Sequence, residues 1–205
     1  MSGKGTDTRQ DILKAAKAEF MEKGFRGASL RNIVKTANVT TGAFYGYFES
    51  KEQLFDALVE EPAAFIMEEF NRIQAEFKTY SAEKQKEEMG KISGRSMIEW
   101  VDYIFDHADA FKLILSCSEG TKYENYIHAM AETEIRATHD FTAVMNRSGE
   151  NLKTADEDLE HILISGMFTA YFEMVLHDIP RERAKNYVAQ LHAFYTAGWT
   201  AIMGF

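Results

Sequence analysis

Apolar residues recur along this chain at steps of three and four, and the pattern predicts helices from end to end. The first has Ile12, Leu13, Ala16 and Phe20 on one face. Thr8 is placed to cap it, with Asp11 three residues on, and Gly24 ends it. Ser29 caps a second, short helix whose inner face is Leu30, Ile33, Val34 and Ala37. Asn38 follows in the turn, one of the few non-glycine residues that enters the left-handed region cheaply. Thr40 then caps a very short third helix, with Val39, Ala43, Phe44 and Phe48 inside and Thr41, Gly42, Tyr45 and Tyr47 outside. Ser50 caps a fourth, with Gln53 in the reciprocal position. Lys51 falls in its first turn, where a cation opposes the helix dipole.

The same periodicity continues beyond Lys51, interrupted by only two prolines, Pro62 and Pro180. Ile66, Phe70, Ile73, Phe77 and Tyr80 make one stripe, on a helix expected to leave the fourth at Pro62. Residues 81–91 are polar and read as a loop or a solvated helix start. Met97, Ile98, Trp100, Val101, Ile104 and Phe105 form a strongly apolar helix, and 110–117 another. Ser118 to Thr121 break the pattern before a long helix over about 123–145, and 146–151 reads as a loop. Thr154 and Glu157 have the spacing of a capping box ahead of Leu159. From Ile162 to Leu176 the chain is apolar around most of the helix circumference. Pro180 opens a final helix with a stripe of Tyr187, Leu191, Phe194, Tyr195, Gly198, Ile202 and Met203. Two such helices meeting their copies across a two-fold axis would bury both stripes in a four-helix interface; an intramolecular core is the alternative.

Charge is unevenly divided. Residues 1–51 hold nine lysines and arginines against five acids, a net of +4, so the remainder carries −13 of the total −9. A basic head on an acidic body invites phosphates at one end only, and the overall acidity does not exclude nucleic acid. With 205 residues, 45% of them hydrophobic and 27% charged, the chain has the composition of an ordered, soluble protein of two modest domains. A lone Cys117 excludes an internal disulfide framework and reads as a core thiol. The polar N-terminus and the lack of a long apolar run point to the cytoplasm, with no membrane segment.

The exposed tyrosines of the third helix have two readings. Exposed aromatics ordinarily mark a second packing surface. Here, small residues beside them admit close backbone approach, and phenolic hydroxyls, a helix amino end and Lys51 are donors suited to phosphates. From Thr8 to Leu54 these caps, turn, aromatics and lysine, in this order, closely resemble the DNA-binding domain of the TetR (tetracycline-repressor) family of bacterial transcription regulators. The resemblance covers roughly the first quarter of the chain. It implies operator contacts from Ser29, Arg31, Thr40, Thr41, Gly42, Ala43, Tyr45, Tyr47 and Lys51. Asn38, Val34 and Tyr47 depart from the family's commonest residues, which are glycine, alanine and histidine there.

The resemblance also implies an all-α fold: a three-helix helix-turn-helix DNA-binding domain at 1–54, then a larger helical bundle at 55–205 for effector binding and dimerisation. It implies a homodimer through the two C-terminal helices, on a palindromic double-stranded operator, released when an unidentified small effector shifts the population toward the DNA-incompetent state. The acidic body favours cationic or neutral effectors over anions, though solvated charge accounts for it equally. Trp100, Tyr103, Phe111, Met167, Tyr171 and Phe172 are candidates to line that effector's pocket. The competing reading is a helical protein-interaction module without DNA binding, and a bundle metalloenzyme comes third. Glu124 with His128, Asp158 with His161, and Glu173 with His177 share helix faces, but none repeats the Glu-x-x-His pattern of a di-metal bundle. No Gly-rich phosphate loop and no Gly-x-Ser-x-Gly elbow occurs, so neither catalytic residues nor a metal or cofactor is expected.

Overall fold

Gly24 decides where the first helix stops. Helix α1 runs Gly3–Gly27, but Gly24 sits at φ 67° and ψ 169°, outside helical space, and the chain turns there. The structure is a computed structural model that describes residues 3–205, with side chains from Thr8 onward. Met1 and Ser2, the start of the polar N-terminus read above, lie outside the described residues. Because α1 begins at Gly3, Thr8 lies within the helix and is not its cap; no proline in Gly3–Asp7 stops the helix from continuing upstream.

Helices α2 (Leu30–Thr36) and α3 (Thr41–Tyr45) follow where the pattern placed them. Asn38 turns the chain between them at φ 54°. Ser29 holds the cap position of α2, but its hydroxyl makes no capping bond. The carboxylate of Glu19, on α1, does the work from across the turn. Its Oε1 accepts from the Ser29 N–H at 3.1 Å, from Asn32 Nδ2 at 3.3 Å and from Lys23 Nζ at 3.0 Å. Lys23 is the main cause that holds this carboxyl below the usual range, helped by the Ser29 N–H and Asn32 and opposed by burial.

Helix α4 runs Lys51–Lys78 without a break, so the expected end at Pro62 is corrected. Proline cannot donate to the carbonyl of Leu58, four residues back. The helix persists because Val59, Ala63, Ile66 and Phe70 are buried on one side of it, and that burial outweighs one missing bond. The 81–91 segment is mostly a short helix, α5 (Ala82–Glu88), capped by Ser81 through the Lys84 N–H. Helices α6 (Lys91–Asp106), α7 (Ala108–Ser116), α8 (Tyr126–Arg147), α9 (Glu157–Leu176) and α10 (Arg181–Met203) complete the order. No strand occurs among the described residues, as the all-α expectation requires.

Packing groups these helices into two units. The first gathers residues up to Ala64 together with His107–Tyr126. Its core is Ile12, Ala16, Phe20, Ile33, Phe44, Leu54 and Phe55, with Phe20 edge-on to Phe55 at 5.1 Å. Packing thus adds to the 1–54 head the first half of α4 and the α7 segment. The Phe25 N–H donates to the Cys117 carbonyl at 2.8 Å, and Arg26 pairs with Glu119 at 2.6 Å. Cys117 is buried, as expected, and burial pushes its thiol up.

The second unit gathers Phe65–Asp106 and Ile127–Phe205. Phe70 meets Phe168 edge-on at 5.5 Å, and the Tyr171 hydroxyl donates to the Met97 carbonyl at 2.8 Å. Lys185 on α10 reaches Asp102 on α6 at 2.6 Å. Helix α9 is long and apolar enough to cross a membrane by length and composition alone, although acids in its first turn and Ser165, Gly166 and Thr169 interrupt its apolar run. Its buried Ile164, Phe168, Tyr171, Phe172, Met174 and Val175 mark it as a core helix of this unit. Its cap is Asp156, not the Thr154–Glu157 pair: Asp156 Oδ1 accepts from the Asp158 and Leu159 N–H groups at 3.1 and 3.3 Å. Losing such a cap costs about 1 kcal/mol. Asp156→Ala should therefore lower the unfolding free energy measured in urea by that amount while Thr154→Ala leaves it unchanged; the reverse order would restore the Thr154 cap.

Candidate functional site

One face of the first unit is built to be met from outside. Thr40 Oγ1 accepts the Ala43 N–H at 3.1 Å and fixes the amino end of α3. Phe44 and Phe48 are buried beneath it, 5.9 Å apart, so the opposite side of this short helix must face out. Thr40, Thr41, Gly42, Tyr45 and Tyr47 are exposed there, Ala43 and Ser29 half-buried. Tyr45 is 56% exposed and Tyr47 37%, large aromatic surface that the described residues leave uncovered. Arg31 and Lys35, both exposed on α2, make no ion pair among the described residues. Their charge is available to an anion, unlike that of Lys17 and Arg26, which pair with Asp109 and Glu119.

Lys51 departs from this arrangement. Its Nζ donates to the carbonyls of Phe25 at 2.7 Å and Ala28 at 3.2 Å, and lies 4.5 Å from the centre of the Phe25 ring. The ammonium thus sits at the carboxyl end of α1, where the helix dipole favours a cation. This explains why a lysine is tolerated in the first turn of α4. Its polar contacts bind the head together; the sequence could not show this because the carbonyls lie far back along the chain. Glu19 was missed for the same reason.

The second unit encloses a cavity of about 170 Å³. Phe70, Phe77, Met97, Trp100, Phe168 and Trp199 wall it with rings and thioether. Of the six expected lining residues, Trp100 and Met167 are there. The other four are not. Phe111 is wholly buried in the first unit, Tyr103 stacks on Phe65 at 4.0 Å, and Tyr171 and Phe172 are core, the former tied to Met97. Helical periodicity marks all six as inward-facing but cannot separate a filled core from a hollow one.

Two polar groups set the chemistry of this cavity. Glu134 Oε2 accepts from Gln74 Nε2 at 2.6 Å, and burial raises its carboxyl to about 7 despite that bond. His192 lies 3.2 Å from Ser93 Oγ, and burial lowers its imidazole. Elsewhere in this unit His128, Glu132 and His161 bring three ligand atoms within 4.8 Å of one another. Glu132, one turn beyond His128, was absent from the pairs read in the sequence. Glu173 and His177, one of the pairs read in the sequence, lie 2.8 Å apart.

Comparison with known proteins places the head. Residues 12–58 match the bacterial regulatory proteins of the tetR family. The HTH-type transcriptional regulator YdgC of Bacillus subtilis is 44% identical over 61 residues, which are 30% of this chain and 31% of that protein. The HTH-type transcriptional repressor AcnR of Corynebacterium glutamicum is 40% identical over 65 residues, 32% of this chain and 35% of that protein. The N-terminal head belongs to the tetR family. The chain thus matches about a third of the length of these relatives, and the likeness lies in the head.

Solved structures extend the fold likeness beyond the TetR-family head. A Clostridium perfringens protein assigned as a fatty acid metabolism regulator aligns over 92% of this chain and 97% of its own, at a TM-score of 0.59 and 17% identity. A TetR-family regulator from Pectobacterium atrosepticum aligns over 99% and 97%, at a TM-score of 0.50 and 22% identity. At such identities the likeness is one of fold.

The raised carboxyl in the cavity has a consequence for stability. Between its ordinary value of 4.5 and about 7, Glu134 binds more protons folded than unfolded. Stability from this group is therefore greatest below 4.5, falls as pH rises, and levels off above about 7. A Glu134→Gln variant lacks the slope. Its melting temperature relative to the parent should rise between about pH 5 and pH 8; a constant difference across that range would show that the carboxyl is not perturbed.

Proposed function

We propose that this chain is a homodimeric, cytoplasmic transcription regulator that holds a palindromic operator through its TetR-family head and releases it when a small effector enters the cavity. The observation that carries this reading is the outer face of α3. With the turn that follows it, this face offers two tyrosines, a capped amino end and small residues, Arg31 beside it on α2 makes no ion pair among the described residues, and none of those residues covers it. Arg31, Ser29, Tyr45 and Tyr47 would hold phosphates, while Thr40, Thr41, Gly42 and Ala43 approach base edges. Lys51 contributes by holding α1 against α4, and a phosphate contact from it would compete with the carbonyls of Phe25, Arg26 and Ala28 that it now serves. That YdgC is named a regulator and AcnR a repressor supports regulation, and AcnR specifically supports repression.

Dimerisation rests on α9 and α10. Ile162 is 64% exposed and Phe194 73%, far more than large apolar residues need be in a monomer. Gly198 has open space where a side chain would stand, with Ala197 and Ala201 exposed near it, a surface on which another helix can come close. Gly166 faces inward by comparison, since a Cβ there would meet the Tyr195 hydroxyl at 3.3 Å. The effector acts by population shift, binding the DNA-incompetent state more tightly.

Fluorescence anisotropy with a duplex from upstream of the protein's own gene tests the reading. Affinity should fall steeply with salt, by roughly 0.9 log units per log unit of salt for each phosphate contact. Tyr45→Phe and Arg31→Ala should weaken binding to all duplexes alike, each several-fold. Phe194→Glu should sediment as a monomer and lose operator affinity with the head intact. Binding that is flat in salt would sink the DNA reading, and a parent that sediments as a monomer would sink the dimer.

A further inference from the structure

The cavity of the second unit is selective in charge as well as in shape. Its titratable lining is Glu88 from α5, Glu134 from α8, and His192 and Tyr195 from α10; α4, α6 and α9 contribute none, and no lysine or arginine lines it. Glu88 is already matched by Arg95 at 3.1 Å. Burial disfavours a charge on His192 and on the Tyr195 hydroxyl. That leaves Glu134 as the one unmatched charge. Its Oε2 takes a bond from Gln74, a neutral donor, and its Oε1 has no hydrogen-bond partner among the described residues.

An anion entering this space would find no counter-charge and would be buried next to a carboxylate, an arrangement that proteins avoid. A neutral apolar molecule would gain contact area but leave Glu134 as it is. An organic cation gains three things: apolar contact with Phe70, Phe77 and Met97, the negative ring faces of Trp100, Phe168 and Trp199, and a buried opposite charge.

We propose that the cavity takes an apolar organic cation, an ammonium-type charge on a compact hydrocarbon body, with Glu134 as its counter-charge. This rests on the reading of the cavity as the effector site. Gln74 is a positioning residue: its amide fixes one carboxylate oxygen of Glu134, a residue that lines the cavity, and leaves the other for the cation. Binding ionises Glu134, so a proton leaves as the cation enters.

Both tryptophans of the chain, Trp100 and Trp199, line this cavity, so tryptophan emission, excited beyond the tyrosine absorption band, reports on it. The probes are benzyltrimethylammonium, its uncharged carbon isostere neopentylbenzene, and the anion 3-phenylpropanoate, each titrated into the full-length protein. The cation should bind at least ten-fold tighter than the isostere and the anion weakest. Cation affinity should rise from about pH 6 to pH 8 as Glu134 ionises. Deprotonation of His192 acts in the same direction, and Glu134→Gln separates the two: it should bring the cation down to the isostere's affinity and remove most of the pH dependence. An anion or isostere that binds as tightly as the cation overturns the proposal, as does a pH-independent cation affinity in the parent or a Glu134→Gln variant that keeps the full preference. If none of the three changes the tryptophan emission, the cation proposal fails, and a small molecule of another class that enters the cavity and releases the operator would leave the effector reading standing.

Discussion

A helix of five residues has no stability of its own, and the proposed function depends on one. Isolated helices shorter than about 12 residues are marginal in water, so α3 (Thr41–Tyr45) exists because its surroundings fix it. Phe44 and Phe48 anchor its inner side, Thr40 closes its amino end, and Asn38 in the left-handed region aims it. With one side so fully committed to the core, Thr41, Gly42, Tyr45 and Tyr47 are left facing outward. The proposed recognition surface is therefore a by-product of the packing of two phenylalanines. Glu19 and Lys51 carry the same logic one layer further: each uses a charge to tie elements of the head to one another. Their loss would loosen the outer face of α3 without touching it.

The second unit solves a different problem. Its helices carry more apolar surface than one core absorbs, and the surplus goes two ways. Part of it lines a cavity around Glu134; part of it, Ile162 and Phe194, stands exposed on α9 and α10. A buried carboxyl with a single amide partner weakens the fold at neutral pH. The same feature gives the cavity a means of telling one charge from another.

Local features were legible in the sequence. Gly24, Asn38 and the caps at Thr40 and Ser50 appear where their residue types placed them, because each acts on its own few residues. Exposure of the two tyrosines followed from helical spacing. What could not be read was long-range. Ser29 marks the start of α2, yet the N–H there is held by Glu19, ten residues earlier. Pro62 should end a helix by local rules, and tertiary burial overrides it. Trp100 and Tyr103 lie on the same helix with similar character, and one lines a cavity while the other stacks on Phe65. Periodicity gives the inward face and not what stands opposite.

The central claim, that the α3 face of a two-fold dimer reads DNA, is tested most directly by letting the purified protein select from random duplexes. The account predicts enrichment of one inverted repeat, with half-sites about one helical turn apart. Enrichment of nothing, or of an isolated half-site without its mirror image, would contradict it.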